Sequence, residues 1–228
     1  MGAARDDRLR MEAVALGVEC ALPAGYPARH IVRRGTAARL CGMLFVVCVA
    51  AGLWQFGQGV YIHAKANLAQ YLIADAWSKT LAGQRAVKPW PWADTWPVAR
   101  IDAPVVGERL YVLEGANGRA IAFGPGHVQG TPLPGTSGNS VIGGHRDTHF
   151  AFLRRLKSGD ELKVQRADGA WRSYRVSGST VVDRTDVYVT RNSGPTRLTL
   201  VTCWPFDAVR AGGPARYVVT ATAARLDI

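Results

Sequence analysis

An uncharged, largely apolar stretch from Leu40 to Ile62 constrains the folding of this chain more than any other feature. A stretch of that length can cross the hydrocarbon core of a bilayer as a single helix. Arg33, Arg34 and Arg39 lie just before it, and this excess of basic residues predicts a cytoplasmic N-terminus. Everything after the stretch is therefore expected on the outer side of the membrane.

The apolar stretch divides the chain into four predicted parts. These are an N-terminal cytoplasmic tail (1–39), a transmembrane anchor (40–62), a helical stalk with a Trp- and Pro-rich linker (63–94) and the main domain (95–228). A signal peptide cleaved near the small residues of Ala64–Ala66 is the alternative to a retained anchor. A lead of nearly forty residues is long for a signal peptide, which favours the anchor.

The stalk and the linker are predicted from two different patterns. Apolar residues recur at helical spacing between Ala66 and Gln84, and Pro89 follows the end of this pattern. The linker then sets Trp90, Trp92 and Trp96 among prolines, which do not fit a regular helix or a central strand. We expect these rings to pack as a clasp on the outside of the main domain.

The main domain has the pattern of an all-β fold. Hydrophobic and polar residues alternate in eight short segments that are separated by dense turn signals. The segments are VARIDAP, ERLYVLEG, NSVIGGH, ELKVQRA, WRSYRVSG, TVVDR, RLTLVTC and RYVVTATA. This pattern predicts a closed or nearly closed β-barrel, and the 48% hydrophobic composition is sufficient for its core. One segment, HFAFLRRLKSGD, has helical spacing instead.

The formal net charge of +11 does not indicate a nucleic-acid partner. The basic residues are spread along the chain, without a dense basic block or a stacking-aromatic motif of the kind that binds nucleic acid. The charge fits a domain that lies beside an anionic membrane or cell-wall polymer.

Cys203 ends the strand-like run TLVTC and is the only cysteine in the C-terminal half of the chain. Cys20 lies in the N-terminal segment, and Cys41 and Cys48 lie within the apolar stretch, so none of them can supply a disulfide partner across the membrane. A lone thiol in an oxidising compartment is either a buried, inert side chain or a nucleophile. The chain has no CxxC pair, which argues against thiol redox chemistry.

A nucleophilic thiol needs an imidazole partner and a group that binds the developing oxyanion. His127, His145 and His149 are the candidate histidines, and the position of His145 at the end of the run NSVIGG favours it. Arg216, thirteen residues after Cys203, is the candidate cation because the intervening loop can return it beside the thiol. Arg210, within that loop, is the rival.

These motifs together resemble the signature of the sortases, membrane-anchored cysteine transpeptidases. TLVTC matches the TLxTC motif of the family, and the resemblance implies catalytic roles for Cys203, His145 and Arg216 and a substrate-binding role for Thr202. It covers about residues 97 to 228. The segment from GPGH to DTHF is similar to class D sortases, whereas the single anchor followed by PWPWADTWPVARI looks most like class GN, the Gram-negative type.

The resemblance implies an eight-stranded sortase β-barrel in the inner (cytoplasmic) membrane, single-pass, with a periplasmic or otherwise extracytoplasmic catalytic domain. The implied reaction cleaves an LPxTG-like sorting signal near the C-terminus of a secreted substrate protein through a thioester. The acyl group then passes to an amine acceptor at the cell surface. No cofactor or metal is expected, since no carboxylate cluster of the class A calcium type is evident.

Two other functions use the same sequence features. A membrane-tethered cysteine endopeptidase would employ the same residues with water as the acceptor. A non-catalytic, anchored β-barrel binding module would leave Cys203 merely buried. A thiol-reactive probe distinguishes the binding module from the two enzymes. An amine nucleophile added to a peptide-cleavage assay distinguishes the transpeptidase from the endopeptidase.

Overall fold

The computed structural model describes residues 34–192, 194–210 and 212–224. Residues 1–33, which make up most of the predicted cytoplasmic tail, lie outside the described residues. The chain divides into two compact units, with the boundary between Gly57 and Gln58. The second unit contains the whole main domain.

A long helix, α1 (Arg34–Leu81), runs through the predicted anchor and the predicted stalk. From Gly35 to Gln58 every side chain is exposed, and the most apolar 18-residue window has a mean hydropathy of 1.9. By length and composition this helix can cross a membrane. Exposed apolar residues over so many turns suit a lipid environment better than water.

The C-terminal turns of α1 belong to the folded second unit. Ile73, Ala76 and Trp77 are at most 3% exposed, and the indole Nε1 of Trp77 donates to Oε1 of Gln165 at 3.3 Å. The helix ends where Gly83 adopts a φ of 95°, a conformation that favours glycine. The predicted stalk is therefore helical, and its second half packs against the domain that follows it.

Eight strands form a closed barrel, as the sequence predicts. They are β1 (Pro97–Ala103), β2 (Glu108–Glu114), β3 (Gly126–His127), β4 (Asn139–Gly143), β5 (Glu161–Arg166), β6 (Trp171–Asp183), β7 (Arg197–Cys203) and β8 (Ala215–Ala223). Their order around the barrel is β1-β2-β3-β4-β7-β8-β6-β5, and β5 closes the barrel on β1. The β2–β3 and β4–β7 pairs are parallel, and the others are antiparallel.

The strand count agrees with the prediction, but two of the individual strands differ. The predicted segments WRSYRVSG and TVVDR form one continuous strand, β6, whose register against β8 shifts between Val176 and Gly178. The remaining strand, β3, is only two residues long, and so short a strand has no periodicity to detect in a sequence.

The barrel interior is filled by alternate side chains of its strands. Fully buried examples are Val112, Leu162, Val164, Tyr174, Leu198 and Leu200, each 0% exposed. The segment predicted to be helical forms only a short 3₁₀ helix (Ala151–Arg155), and it contributes Phe152 and Leu153 to this core. The core thus takes side chains both from the strands and from the connection that follows β4.

The predicted aromatic clasp is confirmed for one of its rings. Trp90 packs edge-on against Phe123, with 5.0 Å between the ring centroids. Trp96 is half-buried immediately before β1. Trp92, in contrast, is 82% exposed.

Candidate functional site

Strand pairing places Cys203 opposite Arg216. β7 and β8 run antiparallel, and their register pairs the last residue of β7 with the second residue of β8. Directly opposed residues of an antiparallel pair present their side chains on the same face of the sheet. Both residues are half-buried. The rival cation, Arg210, is exposed in the loop between the two strands.

The parallel pairing of β4 with β7 brings His145 to the same end of the barrel. Gly143 pairs with Val201, and the backbone N–H of Gly144 continues the ladder by donating to the carbonyl of Val201 at 3.1 Å. His145 follows immediately, and its side chain is exposed. The three predicted catalytic residues therefore lie at the ends of three adjacent strands.

Gly144 allows this turn to lie close to the core. A Cβ atom added at Gly144 would lie 2.8 Å from the ring of Phe150, which is completely buried. Gly144 thus serves close packing between the end of β4 and the segment that follows it.

Thr202 occupies the opposite face of β7 from Cys203. By the two-residue alternation of a strand it shares a face with Leu198 and Leu200, and it is only 2% exposed. Its hydroxyl donates to the carbonyl of Gly144 at 2.8 Å. This contact gives Thr202 a structural part in holding the turn before His145, and its contact with substrate stays a prediction.

The three candidate histidines have different surroundings. His127 is 3% exposed, with Nδ1 3.4 Å from Oε2 of Glu114 and Nε2 3.1 Å from the carbonyl oxygens of Thr131 and Pro132. These contacts occupy both ring nitrogens of His127 and suit a structural residue. His145, in contrast, is exposed next to the end of β7.

His149 lies near His145 but in a drier position. Burial, and secondarily the positive charge of His145, lowers the pKa of His149 below the ordinary value of 6.5. A neutral His149 adds no positive charge beside His145.

Arg146 is a buried cation that the sequence reasoning did not identify. It is 5% exposed, and its guanidinium donates to the carbonyl oxygens of Pro205 (2.8 Å), Ala208 and Arg210 (3.0 Å). These carbonyls belong to the loop between Cys203 and Arg216. Arginine is ordinarily a surface residue, so the sequence gives no sign that Arg146 is buried. Its position next to His145 is the only signal that could have drawn attention to it.

Arg216 is held in place by its own loop. Its Nη1 donates to the carbonyl oxygens of Gly213 at 2.7 Å and Ala215 at 2.9 Å. At the other end of the loop the backbone N–H of Trp204 donates to the carbonyl of Ala215 at 3.1 Å. Backbone carbonyl groups near the end of the loop therefore hold both the guanidinium of Arg216 and the residue that follows Cys203.

An aromatic cleft of about 620 Å³ lies beside the end of β7. Trp204 and Tyr217 stack with 5.5 Å between their ring centroids, and Phe206 meets Tyr217 edge-on at 5.2 Å. Arg154 and Asp207 add a charge of each sign to the cleft wall. Such a cleft can bind the apolar side chains of an extended peptide while polar groups at its edge orient the main chain.

Comparison with known proteins gives consistent matches. A family model described as the sortase domain matches residues 101–224. Sortase D of Bacillus subtilis (strain 168) is 30% identical over 120 residues, which cover 52% of this chain and 60% of that protein. Sortase A of Listeria monocytogenes serovar 1/2a is 29% identical over 110 residues, which cover 46% of this chain and 49% of that protein. The matches thus span about half to three fifths of these relatives' lengths.

A solved structure agrees with this assignment. A Sortase D5 transpeptidase from Clostridium perfringens superposes with a TM-score of 0.51 at 27% sequence identity, over 57% of this chain and 79% of that one. The class GN predicted from the sequence stays a prediction. The matched family region runs from β1 to β8 and includes the residues at all three strand ends. With its closed eight-stranded barrel and a family match over more than half its length, this chain belongs to the sortase family.

Proposed function

We propose that this protein is a membrane-anchored cysteine transpeptidase. One observation carries the proposal: the register of β7 against β8 opposes Cys203 to Arg216, while two hydrogen bonds between β7 and Gly144 hold the turn that bears His145. A thiol, an imidazole and a guanidinium at one barrel end are the groups that nucleophilic acyl transfer requires.

The reaction proceeds in two acyl transfers. The thiolate of Cys203 attacks the threonine carbonyl of an LPxTG-like sorting signal, and a carbon–sulfur bond forms. The carbon–nitrogen bond then breaks as the His145 imidazolium gives its proton to the leaving amine, which leaves a thioester on the enzyme. Arg216 donates hydrogen bonds to the carbonyl oxygen while it carries negative charge.

An amine acceptor completes the cycle. Neutral His145 takes the proton from the incoming amine as its nitrogen attacks the thioester carbonyl, and Cys203 leaves as a thiolate. The product is a new amide between the substrate protein and a cell-surface acceptor. Because the leaving thiolate is stable, a thioester stays reactive towards amines, and this suits transfer rather than plain hydrolysis.

The proposed domain arrangement follows the charge pattern of the chain. Residues 1–39 form a cytoplasmic tail, residues 40–62 an anchor in the inner membrane, residues 63–94 the stalk and linker, and residues 95–228 the catalytic domain on the outer side. The substrate is a secreted protein whose tail emerges on that side.

We expect Cys203→Ala to abolish cleavage of a fluorogenic sorting-signal peptide, because no other described residue supplies a thiol at the barrel end. Cys48→Ala, which removes an exposed thiol from α1, is the matched control and should retain full activity. Purified full-length variants are assayed with and without an added amine. Cleavage by Cys203→Ala would refute the mechanism. If the unsubstituted protein released only the hydrolysed peptide, even with excess amine, the protein would be an endopeptidase instead.

His145→Ala should lower kcat/KM by about 10²–10⁴, the usual contribution of general acid–base catalysis. His149→Ala is the control, because this residue is also near the barrel end and differs chiefly in burial and in its lowered pKa. His149→Ala should lower kcat/KM much less than His145→Ala does. The two variants are compared by their kcat/KM profiles between pH 5 and 9. A larger loss in His149→Ala than in His145→Ala would mean that His149, not His145, transfers the proton.

Arg216→Lys should lower kcat by about 10²–10³, the range found when an oxyanion donor is removed. Lysine keeps the positive charge but lacks the planar fork of donors, so charge alone does not rescue the variant. Arg210→Lys serves as the exposed control and should leave kcat unchanged. Wild-type kcat in Arg216→Lys would mean that only the charge is required.

Arg146 acts as a positioning residue for the loop that joins Cys203 to Arg216. Arg146→Ala leaves three loop carbonyls without their donor, and a displacement of the site by about 1 Å can cost about 10²-fold in rate. Arg146→Lys should recover part of kcat, whereas Arg155→Ala, an exposed change, should have no effect. Thermal unfolding measured alongside kcat and KM separates loss of positioning from loss of folding; unchanged kcat in Arg146→Ala would contradict this role.

A further inference from the structure

A second cavity, of about 700 Å³, lies within the unit that begins at Gln58, and none of the proposed catalytic residues lines it. Its walls come from α1, from the Trp- and Pro-rich linker and from the connection between β2 and β3. Leu68, Leu72, Trp90 and Phe123 make these walls largely apolar. The volume is in the range of cavities that bind small ligands.

The cavity has an exposed apolar rim and basic groups beside it. Trp92 is 82% exposed and Leu68 is 57% exposed. Lys65 and Arg119 bring positive charge to the lining, and the single carboxylate there, Asp94, lies 3.8 Å from Nη1 of Arg119. Tryptophan with one apolar side and one polar edge is enriched where a bilayer meets water.

The position of the cavity along α1 is close to the end of the uncharged stretch. Lys65 follows Ile62 by three residues, which is a rise of about 4.5 Å along a helix. The headgroup layer on each side of a bilayer is about 5–8 Å thick. If Ile62 marks the edge of the hydrocarbon core, Lys65 lies at the depth of the lipid phosphates and the apolar walls lie just beyond.

We propose that this cavity binds one acyl chain of a phospholipid whose phosphate lies beside Lys65 and Arg119. This chain turns out of the bilayer against the apolar walls, while the other chain stays among the surrounding lipids. The inference depends on the membrane anchoring stated in the proposed function, but not on the catalytic mechanism. It accounts for the exposure of Trp92, which neither the fold nor the proposed reaction uses. The lipid holds the barrel at the membrane surface.

Photochemical labelling of the full-length protein in lipid nanodiscs tests this site. The probe is phosphatidylglycerol with a diazirine on one acyl chain, and the labelled peptides are identified by mass spectrometry. We expect labels on the α1 segment around Leu68, on the linker around Trp92 and on the segment around Phe123, in addition to the predicted anchor. Peptides of β5 and β6, which do not line the cavity, should carry none.

Two exposed alanines provide a matched pair of variants. Ala122→Trp fills the cavity from an exposed lining position, and Ala170→Trp adds the same ring in the turn between β5 and β6. Labelling of the cavity peptides should fall sharply in the first variant and stay at the wild-type level in the second. Equal labelling in both variants would overturn the site.

Lys65→Gln tests the role of charge. Loss of one cation near an anionic membrane surface should reduce labelling of the cavity by about fivefold with the phosphatidylglycerol probe. Labelling by the matching phosphatidylcholine probe should change less, because that headgroup has no net charge. An identical reduction with both probes would contradict the phosphate contact.

The outcomes separate this inference from the proposed function. Labels confined to residues up to Ile62 would leave the anchor in place and refute the lipid site. Absence of labels from the whole chain would refute the anchoring and the lipid site together. Peptide cleavage by the same preparations is measured independently, so a failure of the catalytic proposal would leave the labelling result interpretable.

Discussion

The pairing of β7 with a parallel neighbour on one side and an antiparallel neighbour on the other is the constraint on which the candidate site depends. The antiparallel ladder sets Arg216 opposite Cys203, and the parallel ladder carries the chain from β4 into the turn before His145. A shift of β7 by one residue would move Cys203 to the opposite face. The buried positions of Leu198 and Leu200 oppose such a shift, so core packing also maintains the geometry of the site.

Arg146 links the same strand ends by a different physical route. A buried guanidinium is costly unless protein groups replace its lost hydration. Asp147, the carboxylate that pairs with Arg146 in the described part of the chain, is 65% exposed at the side chain. Three carbonyl oxygens from the loop after Cys203 provide that replacement. Because these carbonyls must converge on one planar group, the charge favours a single loop conformation. Arg146, which directly follows His145, thereby stabilises the loop between Cys203 and Arg216.

Local sequence patterns predicted the strand ends well and the connections between strands less well. Alternation and turn signals located Cys203, His145 and Arg216, and the barrel confirms that their strands are neighbours. The continuity of β6 was missed because the segment around Gly178 resembles a turn, whereas in the barrel it continues across a register shift. The inward position of Thr202 and the burial of Arg146 depend on contacts between distant segments, which periodicity alone does not report.

The helix α1 combines two tasks that the sequence suggested were separate. Its apolar, exposed part suits a membrane, but Ile73, Ala76 and Trp77 are buried in the same unit as the barrel. Cutting the chain before Lys65 removes only residues that are exposed or half-buried among those described, whereas cutting after Leu81 uncovers apolar surface of the domain. The first truncation therefore leaves the apolar contacts of the domain in place, whereas the second removes part of them. The helix α1 therefore contains both the apolar stretch that is long enough to span a membrane and, nearer its C-terminal end, the residues that pack within the second unit.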